Sequence, residues 1–337
     1  MKALFATNPG LENVQFGELP TPTPGTGEVL VRLGASSLNH LDLWLARGHP
    51  SYPIRYPHVL GSDGAGTIES VGPNTHALIG QKVVLSPLYF CGRCDSCRRG
   101  LVSSCDFSET LGAQRPGTHA ECVVVRQQNA IPIDRLGFEQ AACLPIGALT
   151  AYHMLKMADV QKSQTVLIWG ASSSVGSFGI NIAKIMGASV ITTAATGKVE
   201  KAAKTFGVPV IDYQTKSVSE GVRELTGGRG ADVVLEFVGP ATFAQSCKAV
   251  RKGGTLVTCG AVSGPSVELD LRWLYSNQVR IQGSKQGTPE EFLQVLQWAE
   301  KGLLTSVIGS RYPLSEGKRA LQELESGKQF GKIVLTR

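Results

Sequence analysis

The sequence predicts an α/β protein of two domains, a β-rich segment followed by a doubly wound parallel sheet. The chain has 337 residues, and one domain commonly takes roughly 100–200 residues. Residues 1–125 contain short β-branched runs broken by Pro and Gly, such as 29–33 and 122–125, which are typical of strands joined by tight turns. From about residue 150, apolar runs alternate with helical segments, the pattern of parallel strands joined by crossover helices.

The elements of the second segment follow in order along the chain. Residues 166–169 are an apolar run typical of a buried strand, and residues 175–186 continue with helical periodicity. The alternation then predicts a strand at 190–192, a Lys-rich helix at 198–206, and strands at 208–211, 233–236 and 255–258. After residue 284 we expect an amphipathic helix containing Phe292 and Trp298, another helix near 315–326, and a closing strand at 333–335.

The composition is that of a globular protein, with 42% hydrophobic and 18% charged residues. No apolar run approaches the roughly 20 residues of a membrane span, and the first apolar residues break at Asn8-Pro9-Gly10, too early for a signal peptide. We therefore expect a cytoplasmic protein without a membrane partner.

The net charge of +6 includes no long basic run, so a nucleic-acid partner is not expected. Residues 148–283 hold 14 Lys and Arg against 9 Asp and Glu, which favours either an anionic ligand or a solvated surface.

Four of the eight cysteines fall within one short stretch: Cys91, Cys94, Cys97 and Cys105. Disulfides among them are not expected, because a chain without secretory features folds in a reducing compartment. Four thiolates on one loop, residues 91–105, suit zinc, and a full set of four protein ligands leaves no open position for catalysis. The sequence therefore predicts one structural zinc ion, with an iron–sulfur cluster as the competing interpretation. The other four are expected to be buried free thiols: Cys122, Cys143, Cys247 and Cys259.

The first strand-to-helix turn of the second segment has the composition of a phosphate-binding turn. It begins at Gly170 and continues with Ala171, Ser172, Ser173, Ser174, Val175 and Gly176. Small residues let the backbone approach a pyrophosphate, and the helix N-terminus supplies amide donors. The strict Gly-x-Gly-x-x-Gly pattern is not met, so a simple tight turn is the alternative. The position between a buried strand and an apolar helix favours dinucleotide binding.

The residues after this turn indicate which nicotinamide cofactor binds. An NAD site usually carries an acidic residue about 20 positions on, bonded to the ribose 2′-hydroxyl. Residues 177–199 contain no Asp or Glu. Thr196, Lys198 and Lys201 offer donors that suit a 2′-phosphate instead. We therefore predict NADP(H) as the cofactor.

Taken together, the four-cysteine loop, the glycine-poor turn and the closing Gly331-Lys332-Ile333-Val334-Leu335 resemble the medium-chain dehydrogenase/reductase superfamily, which contains zinc alcohol dehydrogenases and quinone oxidoreductases. Residues 60–66, 149–152 and 227–234 add to this resemblance, which runs over essentially the whole chain. It implies a GroES-like catalytic domain of residues 1–147 and 284–337, with a Rossmann domain of residues 148–283 inserted into it. It also implies a homo-oligomer, dimer or tetramer, and a role for Tyr213 beside the adenosine phosphate.

The chain departs from the zinc alcohol dehydrogenases at the catalytic zinc. The three positions that match their ligands are occupied by Asn39, Ser62 and Ile146, and Cys143 lies three residues from the last of them. None of the three is a good zinc ligand, so the resemblance implies that the catalytic zinc is absent. A zinc site rebuilt from other residues is the alternative, with candidate ligands His40, Asp42, His49, His58 and Asp63.

Without a Lewis acid, oxidation of an unactivated alcohol is difficult, whereas a conjugated acceptor delocalises the incoming charge. We therefore expect an NADPH-dependent reductase of a small quinone or α,β-unsaturated carbonyl. A zinc-dependent alcohol dehydrogenase and a non-catalytic NADPH-binding protein are the alternatives.

Four residues are candidates for catalysis: Asn39, His40, Tyr52 and Ser62. Asn39 offers a hydrogen bond to the substrate carbonyl or the nicotinamide ribose, and as a simple cap it needs no function. His40 occupies a position that often faces the cofactor phosphates in the family, or else lies on the surface. Tyr52 offers a proton or a stacking face, or else packs in the core. Asp63, next to Ser62, is expected to serve a structural hydrogen-bond network.

Overall fold

The structure is a computed structural model that describes residues 1–49 and 52–337. Within these ranges the chain divides into two compact units, Met1–Leu149 with Thr288–Arg337, and Thr150–Gly287. The boundaries that the resemblance implied, after residues 147 and 283, lie a few residues earlier. No helix in the described ranges is long and apolar enough to cross a lipid bilayer.

Strands and helices are numbered in chain order. The strands are β1 Lys2–Ala6, β2 Val14–Glu18, β3 Glu28–Ser37, β4 His58–Val59, β5 Asp63–Val71, β6 Lys82–Leu85, β7 Leu88–Tyr89, β8 Glu109–Thr110, β9 Cys122–Arg126, β10 Ala130–Pro132, β11 Thr165–Ile168, β12 Ser189–Ala194, β13 Val210–Asp212, β14 Ala231–Glu236, β15 Val250–Thr258, β16 Arg280–Gly283, β17 Ile308–Pro313 and β18 Lys332–Thr336. The helices are α1 His40–Arg47, α2 Asp95–Arg98, α3 Phe138–Ala142, α4 Gly147–Met157, α5 Ser174–Ile185, α6 Val199–Phe206, α7 Val218–Leu225, α8 Pro240–Ala249, α9 Leu271–Ser276, α10 Pro289–Glu300 and α11 Gly317–Ser326. Short 3₁₀ segments lie at Leu11–Asn13, Val102–Ser104, Gln127–Asn129, Thr196–Lys198 and Leu314–Glu316.

The first unit is built on a mostly antiparallel seven-stranded sheet. Its strands run in the order β10-β6-β5-β3-β18-β17, and β9 pairs with β3 outside that path. The register places Ser37, at the end of β3, opposite both Asp63 of β5 and Val334 of β18. The ends of three strands that are distant in sequence therefore meet at one point of this sheet.

Two of the apolar clusters in the described part of the first unit lie on the sheet and around the helices. One lies on the sheet and includes Val31, Ile68, Val83 and Leu85, all 1% exposed or less. The other surrounds α1 and α11 and includes Leu45, Leu60 and Leu321. Alternate residues of each strand supply these clusters, as expected of a sheet with one face in the core.

The second unit is a six-stranded parallel sheet in the order β13-β12-β11-β14-β15-β16. This is the strand order of a doubly wound dinucleotide-binding fold. All six residues of β14 are buried, because helices cover both faces of a parallel sheet. The carboxyl ends of β11 and β12 lie side by side, which positions the residues that follow them.

Candidate functional site

The four-cysteine loop forms one compact cluster in the first unit. The α2 helix and the 3₁₀ segment Val102–Ser104 fold the loop, and all four sulfur atoms lie within 4.8 Å of one another. The Sγ–Sγ distances are 3.9 Å for Cys91–Cys97, 3.8 Å for Cys94–Cys105 and 3.6 Å for Cys91–Cys105. Four sulfurs bound tetrahedrally at about 2.3 Å from one zinc ion would be about 3.8 Å apart. The cluster therefore has the size of a zinc tetrathiolate.

Backbone amides donate hydrogen bonds to the sulfur atoms of two of these cysteines. The N–H groups of Arg93 and Cys94 donate to Cys91 Sγ at 3.4 and 3.3 Å. Those of Cys91 and Phe107 donate to Cys105 Sγ, both at 3.4 Å. The amide hydrogen bonds lower the pKa of Cys91 to about 6. Because metal ligands must be deprotonated, the loop is prepared for a metal by its backbone as well as by its side chains.

A buried polar network lies where the ends of β3, β5 and β18 meet, and Asp63 is its centre. The Asp63 side chain is fully buried. Its Oδ2 accepts hydrogen bonds from Lys332 Nζ at 2.8 Å, Asn39 Nδ2 at 2.9 Å and Ser37 Oγ at 3.0 Å. Its Oδ1 accepts from the backbone N–H of Ile146 at 2.8 Å. These four donors stabilise a carboxylate that is entirely removed from water.

Lys332 is the cation that balances Asp63. Besides Asp63, its ammonium donates to Asn39 Oδ1 at 2.8 Å and to the carbonyl oxygen of Leu38 at 2.9 Å, and the side chain is 1% exposed. All three ammonium hydrogens therefore have acceptors. Sequence reasoning gave Lys332 no role, although a lysine opening the apolar strand Ile333-Val334-Leu335 is itself a signal of a buried charge.

Asn39 is held between these two charged groups at the N-terminus of α1. Its Oδ1 accepts from Lys332 and its Nδ2 donates to Asp63, which fixes the orientation of the amide. Its backbone N–H donates to Asp42 Oδ2 at 2.7 Å. Asn39 therefore caps the helix and also joins the network. Nδ2 carries two hydrogens, and Asp63 takes one of them.

The three positions that match catalytic zinc ligands all lie around Asp63. Asn39 and the backbone of Ile146 bond to it directly, and Ser62 precedes it in the chain. The Ser62 side chain is fully buried, and its hydroxyl has no hydrogen-bond partner among the described residues. A water molecule or a substrate oxygen would satisfy that hydroxyl.

Cys143 is the nearest thiol to this network, and it is fully buried. Burial raises the pKa of the Cys143 thiol to about 12, with Lys332 opposing the rise and Asp63 adding to it. The donor set here, an amide, two hydroxyls and a single thiol around an internal ion pair, lacks the several His, Cys or carboxylate ligands that zinc prefers.

The residues considered for a rebuilt zinc site are not brought together. Asp42 accepts from the backbone of Gly61 at 3.0 Å, and His58 Nε2 lies 2.9 Å from the carbonyl oxygen of Gly112. Asp63 is bonded to Lys332. Across residues 1–49 and 52–337, the cysteine loop is the one group of three or more His, Cys, Asp or Glu with ligand atoms close enough to share a metal ion.

The remaining two catalytic candidates are His40 and Tyr52, and Tyr52 lies at one end of an aromatic row. His40 begins α1 and is half-buried; burial, with the charges of Lys332 and Arg47, lowers its pKa, so the ring is neutral at neutral pH. Tyr52 is half-buried, and its ring lies 5.6 Å from that of His49, which in turn lies 5.9 Å from Trp44. Tyr52 also packs on the apolar cluster around α1, as its core-packing interpretation predicted.

The predicted phosphate-binding turn connects β11 to α5. Gly170 has φ +62°, and a Cβ at Gly176 would lie 2.2 Å from the Gly170 carbonyl oxygen, so both positions require glycine. Ser173 caps the helix, its Oγ accepting from the N–H of Gly176 at 3.0 Å. Ala171 is fully buried beneath the turn, and Ser172, Ser174 and Val175 are half-buried around the helix N-terminus.

One observation in this turn fits a bound phosphate. The Ser174 hydroxyl is buried without a hydrogen-bond partner in the part of the chain that the structure describes. It lies at the first residue of α5, where the helix dipole and the first amide groups favour an anion. The residues present therefore fit the pyrophosphate of a dinucleotide.

Of the residues predicted to select the cofactor, Lys198 lies beside this turn. Lys198 Nζ lies 3.5 Å from Ser172 Oγ, so the end of β12 reaches the turn after β11. Burial and the charge of Lys201 lower the pKa of Lys198, and a nearby phosphate would offset that effect. Lys201 is exposed on α6, and Tyr213 is 47% exposed after β13.

Asp212 is a carboxylate that the spacing argument missed. It ends β13, next to β12, and pairs in register with Ala194. A hydrogen bond from the Thr196 side chain lowers the pKa of the Asp212 carboxyl. An acidic group therefore lies on the neighbouring strand beside Thr196, although residues 177–199 contain none.

Comparison with known proteins identifies the class. Residues 25–135 match the family described as alcohol dehydrogenase GroES-like domain, and residues 174–301 match the family described as zinc-binding dehydrogenase. The NAD-dependent alcohol dehydrogenase of Sulfolobus acidocaldarius is 31% identical over 346 residues, covering 99% of each chain. The alcohol dehydrogenase of Geobacillus stearothermophilus is 30% identical over 326 residues, covering 96% of each.

Solved structures of alcohol dehydrogenases are also similar to this chain. The crystal structure of an NAD-dependent alcohol dehydrogenase has a TM-score of 0.94 at 37% identity, covering 100% of both chains. A cobalt- and zinc-bound thermostable alcohol dehydrogenase from Pyrobaculum aerophilum has a TM-score of 0.92 at 33% identity, covering 100% of this chain and 99% of the other.

The fold and these likenesses define an oxidoreductase with a GroES-like domain and a Rossmann-type parallel sheet. The chain belongs to the zinc-type alcohol dehydrogenase family of the medium-chain dehydrogenase/reductase superfamily. The predicted superfamily and fold class are thereby confirmed.

Proposed function

We propose that this oxidoreductase uses NADPH to reduce a small conjugated carbonyl compound, a quinone or an α,β-unsaturated ketone or aldehyde, without a catalytic zinc ion. The observation that carries the proposal is the Asp63–Lys332 network. Asn39, Ser62 and Ile146 surround Asp63, and its charge is already balanced by the Lys332 ammonium. A dication placed beside Lys332 would be repelled, and the neutral donors there bind metals weakly.

The same network supplies a hydrogen-bond donor for a carbonyl oxygen. NADPH, when bound, supplies a hydride to the β-carbon of a conjugated acceptor. The second Nδ2–H of Asn39 is fixed in direction by Lys332 and Asp63. A fixed neutral donor stabilises the negative charge that develops on the acceptor oxygen. Because conjugation spreads this charge, one such donor serves an enone or quinone better than a simple alkoxide.

The preference for NADPH rests on the cations near the phosphate-binding turn. Lys198 reaches Ser172, and Lys201 follows one turn of helix later. Both suit the 2′-phosphate of NADPH. Asp212 beside Thr196 favours the opposite choice, since a carboxylate binds the ribose 2′-hydroxyl of NAD. The proposal assigns the larger effect to the two lysines.

The cysteine loop holds one structural zinc ion under this proposal. The residues that would hold it are Cys91, Cys94, Cys97 and Cys105, with sulfur spacings of tetrahedral size. Bound zinc would cross-link the loop and stabilise its fold. The chain is further proposed to act as a homo-oligomer, dimer or tetramer, which sedimentation analysis would test.

A second candidate is an NAD-dependent alcohol dehydrogenase with a second zinc. The names of the similar proteins favour it, since those from Sulfolobus acidocaldarius and Geobacillus stearothermophilus are alcohol dehydrogenases. Asp212 favours NAD as well. A non-catalytic NADPH-binding protein is the third candidate, and a phosphate-binding turn without turnover would support it.

One experiment separates these candidates. NADPH and NADH oxidation are measured against quinones, enones and aldehydes, and NAD(P)⁺ reduction is measured against alcohols, while zinc per chain is determined on the same sample. The proposal expects enone or quinone turnover with NADPH and one zinc ion per chain. Activity confined to simple alcohols and aldehydes with two zinc ions would overturn it, and nucleotide binding without any turnover would support the third candidate.

A further inference from the structure

A positively charged cleft lies in the Rossmann unit, away from the phosphate-binding turn. It has a volume of about 350 Å³ and is lined by Arg223, Arg229, Arg251, Lys252 and Trp273, among others. Arg229, Arg251 and Lys252 lie at the amino ends of β14 and β15, which pair in parallel from Ala231 and Val250 onward. The phosphate-binding turn follows the carboxyl end of β11 in the same sheet. Since a six-residue strand spans roughly 20 Å, the cleft and the turn lie at opposite edges.

The arginines of this cleft are fixed in place. Arg223 donates to the carbonyl oxygens of Gly228 and Lys248, both at 2.9 Å. Arg229 Nη1 and Arg251 Nε donate to the same oxygen of Asp232, at 2.7 and 2.6 Å. Each guanidinium has five N–H donors, so each keeps donors beyond those that position it. A ligand would meet cations already ordered, which lowers the entropy lost on binding.

The charges of the cleft do not balance. Four cationic residues line the cleft, and two of them, Arg229 and Arg251, bond to Asp232, whose other oxygen accepts from the backbone N–H of Thr165 at 2.7 Å. Arg223 donates to the carbonyl oxygen of Lys248 in the last turn of α8, and that helix end offsets part of the positive charge. The cleft therefore keeps a net positive charge, because both oxygens of the Asp232 carboxylate already accept hydrogen bonds.

This cleft holds part of the positive charge of residues 148–283, four of the 14 Lys and Arg residues. Residues 148–283 carry an excess of Lys and Arg, and an anionic ligand was one explanation. Near the phosphate-binding turn, the cations are Lys198, which reaches Ser172, and Lys201 on α6. The cleft at the opposite edge gathers four cations.

We propose that this cleft is a separate binding site for a small phosphorylated anion. Guanidinium groups match the geometry of phosphate oxygens with paired hydrogen bonds. The volume is at the lower end of small-molecule sites, which suits one or two phosphate groups rather than a dinucleotide. Trp273 supplies an apolar wall for the organic part of such a molecule. The site is independent of the reaction proposed above.

The test uses inorganic pyrophosphate as the probe on the full chain. Binding is measured by titration calorimetry in the presence of saturating NADPH, so that the phosphate-binding turn is occupied. We expect one binding event that weakens as salt is added. The Arg251→Gln/Lys252→Gln variant should raise its Kd at least about tenfold, the effect of losing charge-assisted hydrogen bonds. Lys252→Gln alone, which leaves the Asp232 contacts intact, should raise it severalfold.

The matched control is Lys204→Gln, which removes one cation from α6 of the same unit. It should leave pyrophosphate affinity unchanged, and thermal unfolding should show that all variants remain folded. Pyrophosphate binding that disappears with saturating NADPH would place the anion at the nucleotide turn and overturn the proposal. Binding that is unaffected by both cleft variants, or absent in the unmodified chain, would overturn it as well.

Discussion

Lys332 and Asp63, 269 positions apart in the chain, form a fully buried ion pair with Nζ 2.8 Å from Oδ2. Removing one partner of such a pair leaves an uncompensated charge in the core. We expect Lys332→Met to lower the free energy of unfolding by about 3–5 kcal/mol. Denaturant unfolding of the purified variant gives this number directly.

The control for that prediction is the double variant Lys332→Met/Asp63→Leu. Because it removes both charges, it should recover a large part of the lost stability. A double variant as unstable as the sum of its two single variants would show that the pair is not energetically coupled.

Asn39 should affect turnover as well as the stability of the buried network. Under the proposed function its second Nδ2–H stabilises charge on the acceptor oxygen, and loss of such a donor typically lowers kcat about 10²-fold. We expect Asn39→Ala to lower kcat with an enone by that order. Ser37→Ala is the matched control, because it also removes one hydrogen bond to Asp63 Oδ2. Ser37 does not occupy a position that matches a catalytic zinc ligand. Equal losses of kcat in the two variants would contradict a direct role for Asn39.

Zinc in the cysteine loop should stabilise the fold without taking part in the reaction. We expect Cys94→Ser to lose zinc and to unfold at a lower temperature, because three thiolates bind zinc less tightly than four. Cys247→Ser changes a half-buried thiol in the other unit and should retain zinc. If Cys94→Ser kept its zinc while turnover fell, the loop would not be the zinc site.

The cofactor prediction depends on Lys198 and Asp212. Under the proposed function, Lys198→Gln should weaken NADPH binding about tenfold and leave NADH affinity nearly unchanged, because it removes a cation assigned to the 2′-phosphate. Asp212→Asn should instead weaken NADH binding if that carboxylate holds the ribose. Fluorescence titration with both nucleotides measures each Kd. Equal effects of Lys198→Gln on both nucleotides would remove the basis for NADPH preference.

Local patterns predicted the Rossmann sheet well, because parallel strands buried on both faces appear as continuous apolar runs. The run at 233–236 lies within β14, and 166–169 covers most of β11. Helix α9 and the edge strand β16 were not predicted. Both are short and largely exposed, so they carry little hydrophobic signal.

The candidate site was only partly predictable, for a different reason. The positions of Asn39, Ser62 and Ile146 follow from motifs, and the expected network role of Asp63 agrees with its contacts. The partner Lys332 arrives through the pairing of β18 with β3, a register between distant segments that no local pattern encodes. Asp212 was missed because the spacing rule examines β12, whereas the carboxylate comes from the next strand.

Asp232 makes the Rossmann unit sensitive to acid. Burial raises the pKa of Asp232, but hydrogen bonds from Arg229, Thr165 and Arg251 lower it by more. The resulting pKa is about 2. A carboxyl group whose folded pKa lies below its unfolded value stabilises the fold above the unfolded pKa, near 3.9. That stabilisation, about 2 kcal/mol for a shift of this size, is lost as the pH falls from about 4 to 2.

We expect Asp232→Asn to be destabilised at pH 7 and to converge with the unmodified chain near pH 2 when unfolding is followed against pH. Asp270→Asn, an exposed carboxylate at the start of α9, is the control and should not change the profile in this way. A constant difference between Asp232→Asn and the unmodified chain from pH 7 to pH 2 would mean that its ion pairs do not stabilise the fold.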